Sequence, residues 1–180
     1  FAVMASVYAE EVLGIATPRV GILSVGEEDS KGTETTLEAA AILRRHPHLN
    51  FLGNAEGRDI WNGRFDVIAC DGFVGNVVLK SAEGMSRLIK DGLRTALTSS
   101  ARAKAGALLV KPALTGFFKQ LDYREYGGLP LLGIKGVSVI GHGSSDARAV
   151  MNGIKAAMRA ADHRLHELIQ ARMAELSPAD

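Results

Sequence analysis

Three times along this chain, a short apolar run is followed by a glycine-containing loop and then by residues at helical spacing. The apolar runs cover residues 20–25, 65–70 and 137–140, and each has the length of a buried strand. Strands that alternate with helices are typical of a parallel sheet covered on both faces. The sequence therefore predicts an α/β fold. In such sheets ligands bind beyond the carboxyl ends of the strands, where the three loops are expected to gather.

The remaining segments complete this alternating pattern. The chain opens on a helical pattern with no capping residue before it, which we interpret as a start inside a domain. The expected elements are a helix to about residue 13, a helix ending before Pro47, a short strand at 49–52, helices after the second and third loops, and a charged helix at 162–174. Residues 177–180 are expected to fray.

A basic segment lies between the second and third strand-loop-helix units. Residues 94–120 hold five basic residues and no acidic one, which predicts an excursion from the sheet at about 92–122. Pro112 is expected to interrupt its helix and leave an apolar tip. The apolar side chains that need cover are Leu97, Leu108, Leu109, Val110, Leu114, Phe117, Phe118 and Leu121. Either a second copy of the chain or a membrane surface could supply that cover.

Composition excludes several classes of protein. With 21 basic and 20 acidic residues the net charge is only +1, so no global field recruits nucleic acid, and none is expected as a partner. The single cysteine, Cys70, excludes an intrachain disulfide and indicates a reducing cytoplasm. No apolar run approaches the roughly 20 residues of a membrane-spanning helix, and no leader opens the chain. We therefore expect a soluble cytoplasmic protein.

The first loop, within residues 25–34, places one lysine among four carboxylates. Lys31 can serve chemistry only if its ammonium group is directed at an anion rather than at these neighbours. Gly26 and Gly32 would permit a close backbone approach to such an anion. Alternatively, the segment is a solvated loop in which Ser30 or Thr33 caps the following helix.

The second loop joins residue 70 to a helix. Asp71, Gly72 and Gly75 allow a tight turn, and Asn76 is placed where an amide could face a ligand at the helix start. Alternatively, Asp71 is a plain N-cap. Cys70 is interpreted as a small buried apolar residue rather than a nucleophile.

The third loop, GHGSSD at residues 141–146, is the sharpest local signal. Gly141 and Gly143 bracket His142, and Ser144 and Ser145 follow at the entry to a helix, a pattern typical of phosphate binding. His142 could donate a hydrogen bond, carry charge or transfer a proton. Alternatively, one of the serines caps the helix and His142 is a surface residue.

Other common site motifs are absent from the sequence. It contains no Walker loop, no dinucleotide-binding GxGxxG, no HExxH zinc motif and no GxSxG nucleophile elbow. The carboxylates show no spacing that identifies a metal. We expect neither a metal nor a cofactor.

Five strings in one order resemble PlsX-type phosphate acyltransferases. They are ILSVGEEDSKG at 22–32, FLGNAEGRDI at 51–60, DGFVGNVVLK at 71–80, EYGGLPLLG at 125–133 and GHGSSD at 141–146. The resemblance covers nearly the whole chain, and the basic excursion and the C-terminal tail match least distinctly. It implies that residues 1–180 are the C-terminal part of a single α/β catalytic domain.

The resemblance also implies a fold and a reaction. The fold is a three-layer α/β/α arrangement similar to phosphotransacetylases and isopropylmalate dehydrogenases, in a homodimer. The reaction moves a fatty acyl group from acyl carrier protein to inorganic phosphate and yields acyl phosphate for phospholipid synthesis. We interpret Lys31 as a source of charge, Asn76 as a hydrogen-bond donor to phosphate or oxyanion, and His142 as an orienting or proton-transferring group. Membrane contact would be peripheral, at the inner face.

Three alternatives stay open at this point. A phosphotransacetylase-like enzyme with an acyl-coenzyme A donor could use the same loops. A decarboxylating dehydrogenase of the related fold is a weaker alternative, because this chain has no evident counterparts of that enzyme's metal-binding aspartates. A non-catalytic partner could bind acyl carrier protein or the membrane through the basic excursion.

Overall fold

The structure of the chain is a computed structural model that describes residues 1–120, 122, 125 and 127–175. It divides into two compact units. The first comprises Phe1–Cys70, Leu129–Ile140 and Gly153–Asp180, and the second comprises Asp71–Gly128 and Gly141–Asn152. The frayed tail expected at 177–180 and the apolar residue Leu121 lie outside the described residues.

A three-stranded parallel sheet forms the centre of the first unit. Its strands are β1 (Val20–Leu23), β2 (Phe51–Ala55) and β3 (Val67–Ala69), in the order β2-β1-β3. On β1, Val20 pairs with both neighbours and is fully buried. The predicted parallel sheet is thus confirmed, although β2 begins two residues later than expected and extends to Ala55.

Helices pack their small apolar residues against this sheet. They are α1 (Ala2–Glu11) and α2 (Glu34–Leu43), which contribute Ala2, Val3, Ala9, Ala40 and Leu43 to the core around Val20 and Ile22. α1 has no side-chain cap, as its sequence predicts. The result is a parallel sheet flanked by helices, consistent with the predicted three-layer α/β/α fold.

The third predicted strand does not join the parallel sheet. β4 (Leu129–Pro130) and β5 (Val139–Ile140) form a separate antiparallel pair, which corrects the expectation that residues 137–140 add a parallel strand. The segment between them is too short for the dozen or more residues of a parallel crossover, so β5 pairs with the strand just before it.

The two C-terminal helices meet at a left-handed residue. They are α5 (Ala147–Asp162), which contributes residues to both units, and α6 (Leu165–Ala174). The break between them is at Arg164, whose φ is 49°. Leu165 and Ile169 of α6 pack with Ala160 against Val7 of α1.

The second unit contains a long helical hairpin. Its arms are α3 (Gly72–Thr98) and α4 (Ala101–Gln120), joined by two serines. No residue of α3 is buried. The predicted interruption at Pro112 is wrong, because α4 continues through it and there is no apolar tip at this position. A proline inside a helix removes one hydrogen bond, and here that loss does not end the helix.

No helix in the described part of the chain is long and apolar enough to cross a membrane.

Candidate functional site

The Lys31 loop, residues 24–33, follows β1 at the carboxyl end of the parallel sheet. Its backbone is closed by a hydrogen bond from the Lys31 N–H to the Glu28 carbonyl oxygen at 2.9 Å. The Ser24 hydroxyl donates to the Lys31 carbonyl oxygen at 3.1 Å. The buried side chain of Asn54 on β2 donates to the carbonyl oxygens of both Glu28 and Lys31. The loop is therefore a hydrogen-bonded turn, and most of its residues are exposed to solvent, as the alternative of a solvated loop predicts.

Both glycines of this loop are required by its packing. A Cβ on Gly26 would lie 2.7 Å from a carboxylate oxygen of Glu28 and 2.9 Å from Cγ of Lys31. Gly32 has a φ of +131°, and a Cβ there would lie 2.3 Å from the Thr36 hydroxyl oxygen. Ser30 is exposed and forms no side-chain hydrogen bond within the described residues, whereas Thr33 is the N-cap of α2. Of the two predicted capping residues, Thr33 is thus the one that caps.

Arginines from other segments pair with two of the four carboxylates around Lys31. The Glu27 carboxylate accepts hydrogen bonds at 2.9 Å from Arg58 and from Arg64. The hydrogen bond from Arg58 is the largest cause that lowers the pKa of Glu27, followed by the charge of Arg64. Asp29 is paired in turn with Arg44 of the segment after α2. Two of the four acidic neighbours of Lys31 are thus already occupied.

The Lys31 ammonium group itself forms no ion pair or hydrogen bond with any residue that the structure describes. From the sequence, a free ammonium group is the condition for a functional Lys31, because an ammonium group paired with neighbouring carboxylates cannot bind an anion. The side chain is exposed, so an anion in solution can reach it.

A short 3-10 turn, Gly57–Ile60, positions one of these arginines. Asp59 is only 2% exposed, and it accepts hydrogen bonds from the Glu56 N–H at 2.9 Å and from the Asn62 side chain at 2.7 Å. The bond from Glu56 is the largest cause that lowers the pKa of Asp59. Because Asp59 fixes the turn, Arg58 is held where its guanidinium meets Glu27.

The second loop begins α3 in the second unit. Asp71 is its N-cap, and its Oδ1 accepts from the N–H groups of Phe73 and Val74, both at 2.9 Å. Gly72 and Gly75 lie in the first turn of α3. Asn76 follows in the next turn, and its exposed amide forms no side-chain hydrogen bond within the described residues. The plain N-cap interpretation of Asp71 is confirmed, and the Asn76 amide is accessible to a ligand.

The GHGSSD loop folds around its histidine. The hydroxyl of Ser144 lies 2.7 Å from Nδ1 of His142, and the Ser144 N–H donates to the same nitrogen at 3.2 Å. The Ser145 N–H donates to the His142 carbonyl oxygen at 2.9 Å. Gly141 and Gly143 are exposed beside it. Since Nδ1 accepts from the Ser144 N–H, the other ring nitrogen, Nε2, is the one that carries the proton in the neutral form.

Asp146, and neither serine, caps the helix that follows this loop. Its Oδ1 accepts from the Ala149 N–H at 3.0 Å, which corrects the alternative in which Ser144 or Ser145 is the cap. A carboxylate satisfies this N–H while leaving the serine hydroxyls for other partners. The Ser145 hydroxyl oxygen is buried and has no hydrogen-bond partner in the part of the chain that the structure describes.

An acidic residue of α3, Glu83, interacts electrostatically with the histidine of the GHGSSD loop. The hydrogen bond from Lys80 is the largest cause that lowers the pKa of Glu83, and the charge of His142 contributes to the same shift. Asn76 is seven residues before Glu83, so the two side chains share one face of the helix. Asn76 and the His142 loop thus both belong to the second unit, whereas Lys31 belongs to the first.

Other candidate groups add no chemistry to these loops. Cys70 is half-buried and not in a disulfide. Among the described residues, no group of three or more His, Cys, Asp or Glu side chains could hold a metal ion.

Sequence reasoning missed three residues that shape the Lys31 loop, namely Asn54, Arg58 and Arg64. The first two lie in the FLGNAEGRDI string. That string contributes to the family resemblance, but the sequence indicates no role for any of its residues. A buried amide on a strand and two arginines next to an acidic turn are the signals that could have identified them.

Comparison with known proteins gives a consistent result. The model of the family described as "Fatty acid synthesis protein" matches residues 1–168. A protein of Acidobacterium capsulatum named phosphate acyltransferase is 52% identical over 180 residues, which is 100% of this chain and 52% of that protein. Proteins of the same name from Heliobacterium modesticaldum and Pelotomaculum thermopropionicum are 54% and 50% identical over 94% and 95% of this chain. In both cases this is 50% of the relative, so the chain spans about half the length of the curated relatives it matches.

Proposed function

Because the chain belongs to the PlsX family of phosphate acyltransferases, we propose that the protein carrying it transfers a fatty acyl group to inorganic phosphate. The donor is the thioester of acyl carrier protein, and the product is acyl phosphate for phospholipid synthesis. The observation that carries the proposal is the Lys31 ammonium group, which has no ion-pair partner among the described residues and lies in a loop where two of the four carboxylates are paired with arginines. Such a group is suited to an anionic substrate that must approach closely.

The reaction needs no covalent enzyme intermediate. A phosphate oxygen attacks the thioester carbonyl carbon, and the new C–O bond gives a tetrahedral oxyanion. As the oxyanion collapses, the C–S bond breaks and the sulfur leaves as a thiolate that takes up a proton. Phosphate at neutral pH is already an oxyanion nucleophile, so the protein mainly has to hold it against the carbonyl carbon and stabilise the developing charge.

Each of the three candidate residues has a separate role in this scheme. Lys31 supplies positive charge to the phosphate. Asn76 donates hydrogen bonds through its accessible amide, either to phosphate or to the tetrahedral oxyanion. His142, whose Nδ1 is occupied by Ser144, orients the donor or transfers a proton to the leaving sulfur through Nε2. No cofactor or metal takes part. The glycines, Ser30, Asp71 and the two serines of the GHGSSD loop line the phosphate and acyl-donor sites.

The reaction is tested with the full-length protein and phosphate-dependent thiol release. We expect acyl phosphate and free thiol from acyl carrier protein only when phosphate is present. Faster turnover with acyl-coenzyme A would support the phosphotransacetylase-like alternative. Absence of turnover with both donors would support the alternative of a non-catalytic protein that binds acyl carrier protein or the membrane. Binding of NAD would revive the dehydrogenase alternative.

Substitution of the three residues tests their roles in the same assay. Lys31→Ala, Asn76→Ala and His142→Ala are each expected to lower turnover by on the order of 100-fold, since loss of one oxyanion-type donor commonly has this effect. Lys155→Ala and His163→Ala, which remove exposed side chains of the same types, are the matched controls. Near-native turnover in any of the first three variants would contradict the role given to that residue.

The hairpin of α3 and α4 supports a proposal about partners. Leu108 is 73% and Leu109 is 84% exposed, and Val110 and Phe117 are also exposed. We assign part of this apolar surface to a homodimer interface and the part around Leu109 to peripheral contact with the inner face of the membrane. Leu109 is on the same face of α4 as Arg102, seven residues before it, so apolar and cationic groups could contact an anionic lipid surface together. The protein would then act in the cytoplasm, where acyl phosphate can pass to a membrane acyltransferase.

A further inference from the structure

The side chain of Asn54 forms hydrogen bonds to the backbone of the Lys31 loop from outside the loop. Its Nδ2 donates to the Glu28 carbonyl oxygen at 2.8 Å and to the Lys31 carbonyl oxygen at 3.0 Å. Both acceptors are backbone carbonyls, so only the NH₂ side of the amide can face them. The residue is 5% exposed, and water is therefore a poor substitute for either bond.

An irregularity in β2 places Asn54 where it can reach the loop. Val20 pairs with Phe51 but Gly21 pairs with Gly53, so Leu52 is an additional residue on β2. Gly53 adopts a φ of +104°, a conformation that favours glycine. Bulges of this kind redirect the side chains that follow them. Asn54 is paired with Ile22, two residues before the first residue of the Lys31 loop.

The two hydrogen bonds of Asn54 are accepted by Lys31 and by Glu28, the residue to which the Lys31 N–H is bonded. The Lys31 N–H already donates to the Glu28 carbonyl oxygen, so Asn54 joins the carbonyl groups at both ends of that four-residue turn. The direction of the Lys31 side chain depends on this backbone geometry. Without Asn54, the carbonyl groups of Glu28 and Lys31 would each lose one of two donors, and the turn could adopt other conformations.

We propose that Asn54 is a positioning residue for phosphate capture, because it fixes the turn that directs the Lys31 ammonium group. This inference rests on the proposed role of Lys31. Asn54 does not contact the substrate; it acts through the backbone of residues 28–31. A misplacement of about 1 Å at a reacting group can lower a rate by about 100-fold, so a positioning residue of this kind has a measurable effect on turnover.

The experiment measures phosphate kinetics of the full-length protein carrying Asn54→Asp. This substitution keeps the size of the side chain but replaces the two donated hydrogen bonds with repulsion between oxygens. We expect the KM for phosphate to rise by about 10- to 100-fold while the KM for the acyl donor stays unchanged. Asn50→Asp is the matched control, because Asn50 in the same unit donates to the Thr17 carbonyl oxygen and makes no hydrogen bond to the loop.

A merely structural role would give a different result. It would lower the amount of folded enzyme and therefore the apparent kcat, with both KM values unchanged. Should the Asp variant fail to fold, Asn54→Ser supplies the same measurement, since serine is smaller and keeps a single donor. With that variant the expected rise in the KM for phosphate is about tenfold.

A double variant separates failure of this inference from failure of the proposed function. If Asn54 acts through Lys31, adding Asn54→Asp to Lys31→Ala causes little further loss, because coupled residues are not additive. Effects that multiply would overturn the inference while leaving Lys31 in its role, as would an unchanged KM for phosphate in both Asn54 variants. If Lys31→Ala alone has no effect, the role of Lys31 is wrong and that of Asn54 is wrong with it.

Discussion

The ion pair between Arg19 and Asp66 leads to a prediction about stability and pH. The Asp66 carboxylate accepts three hydrogen bonds of 2.8 Å from Arg19, one from its backbone N–H and two from its guanidinium group. The guanidinium bond is the largest cause that lowers the pKa of Asp66 from its ordinary value of 3.8 to about 2. Arg19 precedes β1 and Asp66 precedes β3, so the pair joins two neighbouring strands where they begin.

The size of the effect follows from this change in pKa. The difference corresponds to roughly 2.4 kcal/mol of stability at neutral pH if the pair is fully shielded from water. The side chain of Arg19 is 44% exposed and that of Asp66 is 17% exposed, so solvent reduces the effect. We expect Asp66→Asn to lower the free energy of unfolding by about 1 to 1.5 kcal/mol at pH 7.

The pH dependence has a definite sign. A carboxyl group with a lowered pKa in the folded state contributes its stability above its unfolded pKa, and this contribution is lost as the pH falls from about 4 towards about 2. Urea unfolding followed by circular dichroism between pH 7 and pH 2.5 measures it. Wild type and Asp66→Asn should differ at pH 7 and converge in acid, whereas Asp162→Asn, at an exposed position, should match wild type throughout. A difference that is absent at pH 7, or equally large in acid, would refute this reasoning.

Two further predictions concern the second unit. Phosphate should bind near residues 141–145 of the full-length protein, because helix-start amides and two hydroxyls lie there. A phosphate-soaked crystal in which this loop is empty and another site is filled would contradict this prediction. Leu109→Glu should weaken salt-sensitive sedimentation with anionic vesicles without loss of dimerisation, and Leu13→Glu, at another exposed leucine, is the control. Equal sedimentation of wild type and Leu109→Glu would favour burial of Leu109 in the dimer.

The elements that hydrophobic spacing predicted correctly are those with strong local patterns. β1, β3 and the helices α1 to α3 are long or uniformly apolar enough for their period to be read from sequence. The pairing of β5 was not predictable in this way. It has two residues, and its partner β4 contains a proline, so neither has a pattern that distinguishes a parallel from an antiparallel strand. The prediction that Pro112 interrupts the helix failed for a related reason. The rule that proline ends a helix is local and does not include the packing of α4 against α3.

The loops of the candidate site could be located from sequence, but their internal bonds could not. Glycines after apolar runs marked all three loops, and hydroxyl residues accompany them in the first and third. Whether the Lys31 ammonium is free depends on Arg58 and Arg64, which are 31 and 37 residues from Glu27 along the chain. The choice of Asp146 over the serines as the cap is likewise a matter of side-chain geometry. Such contacts are set by the tertiary fold and leave no local pattern.

The pairing of Glu27 with two arginines restricts how related sequences can diverge. If Arg58 and Arg64 were both replaced by neutral residues, Glu27 would be left without a partner in the same loop as Lys31. The carboxylate could then turn to the lysine and compete with phosphate for it. A third change, at Glu27 itself, would remove that competitor. Substitutions at these three positions should therefore occur together in descendants that keep Lys31, although the positions are far apart in sequence and only Lys31 is proposed to meet the substrate.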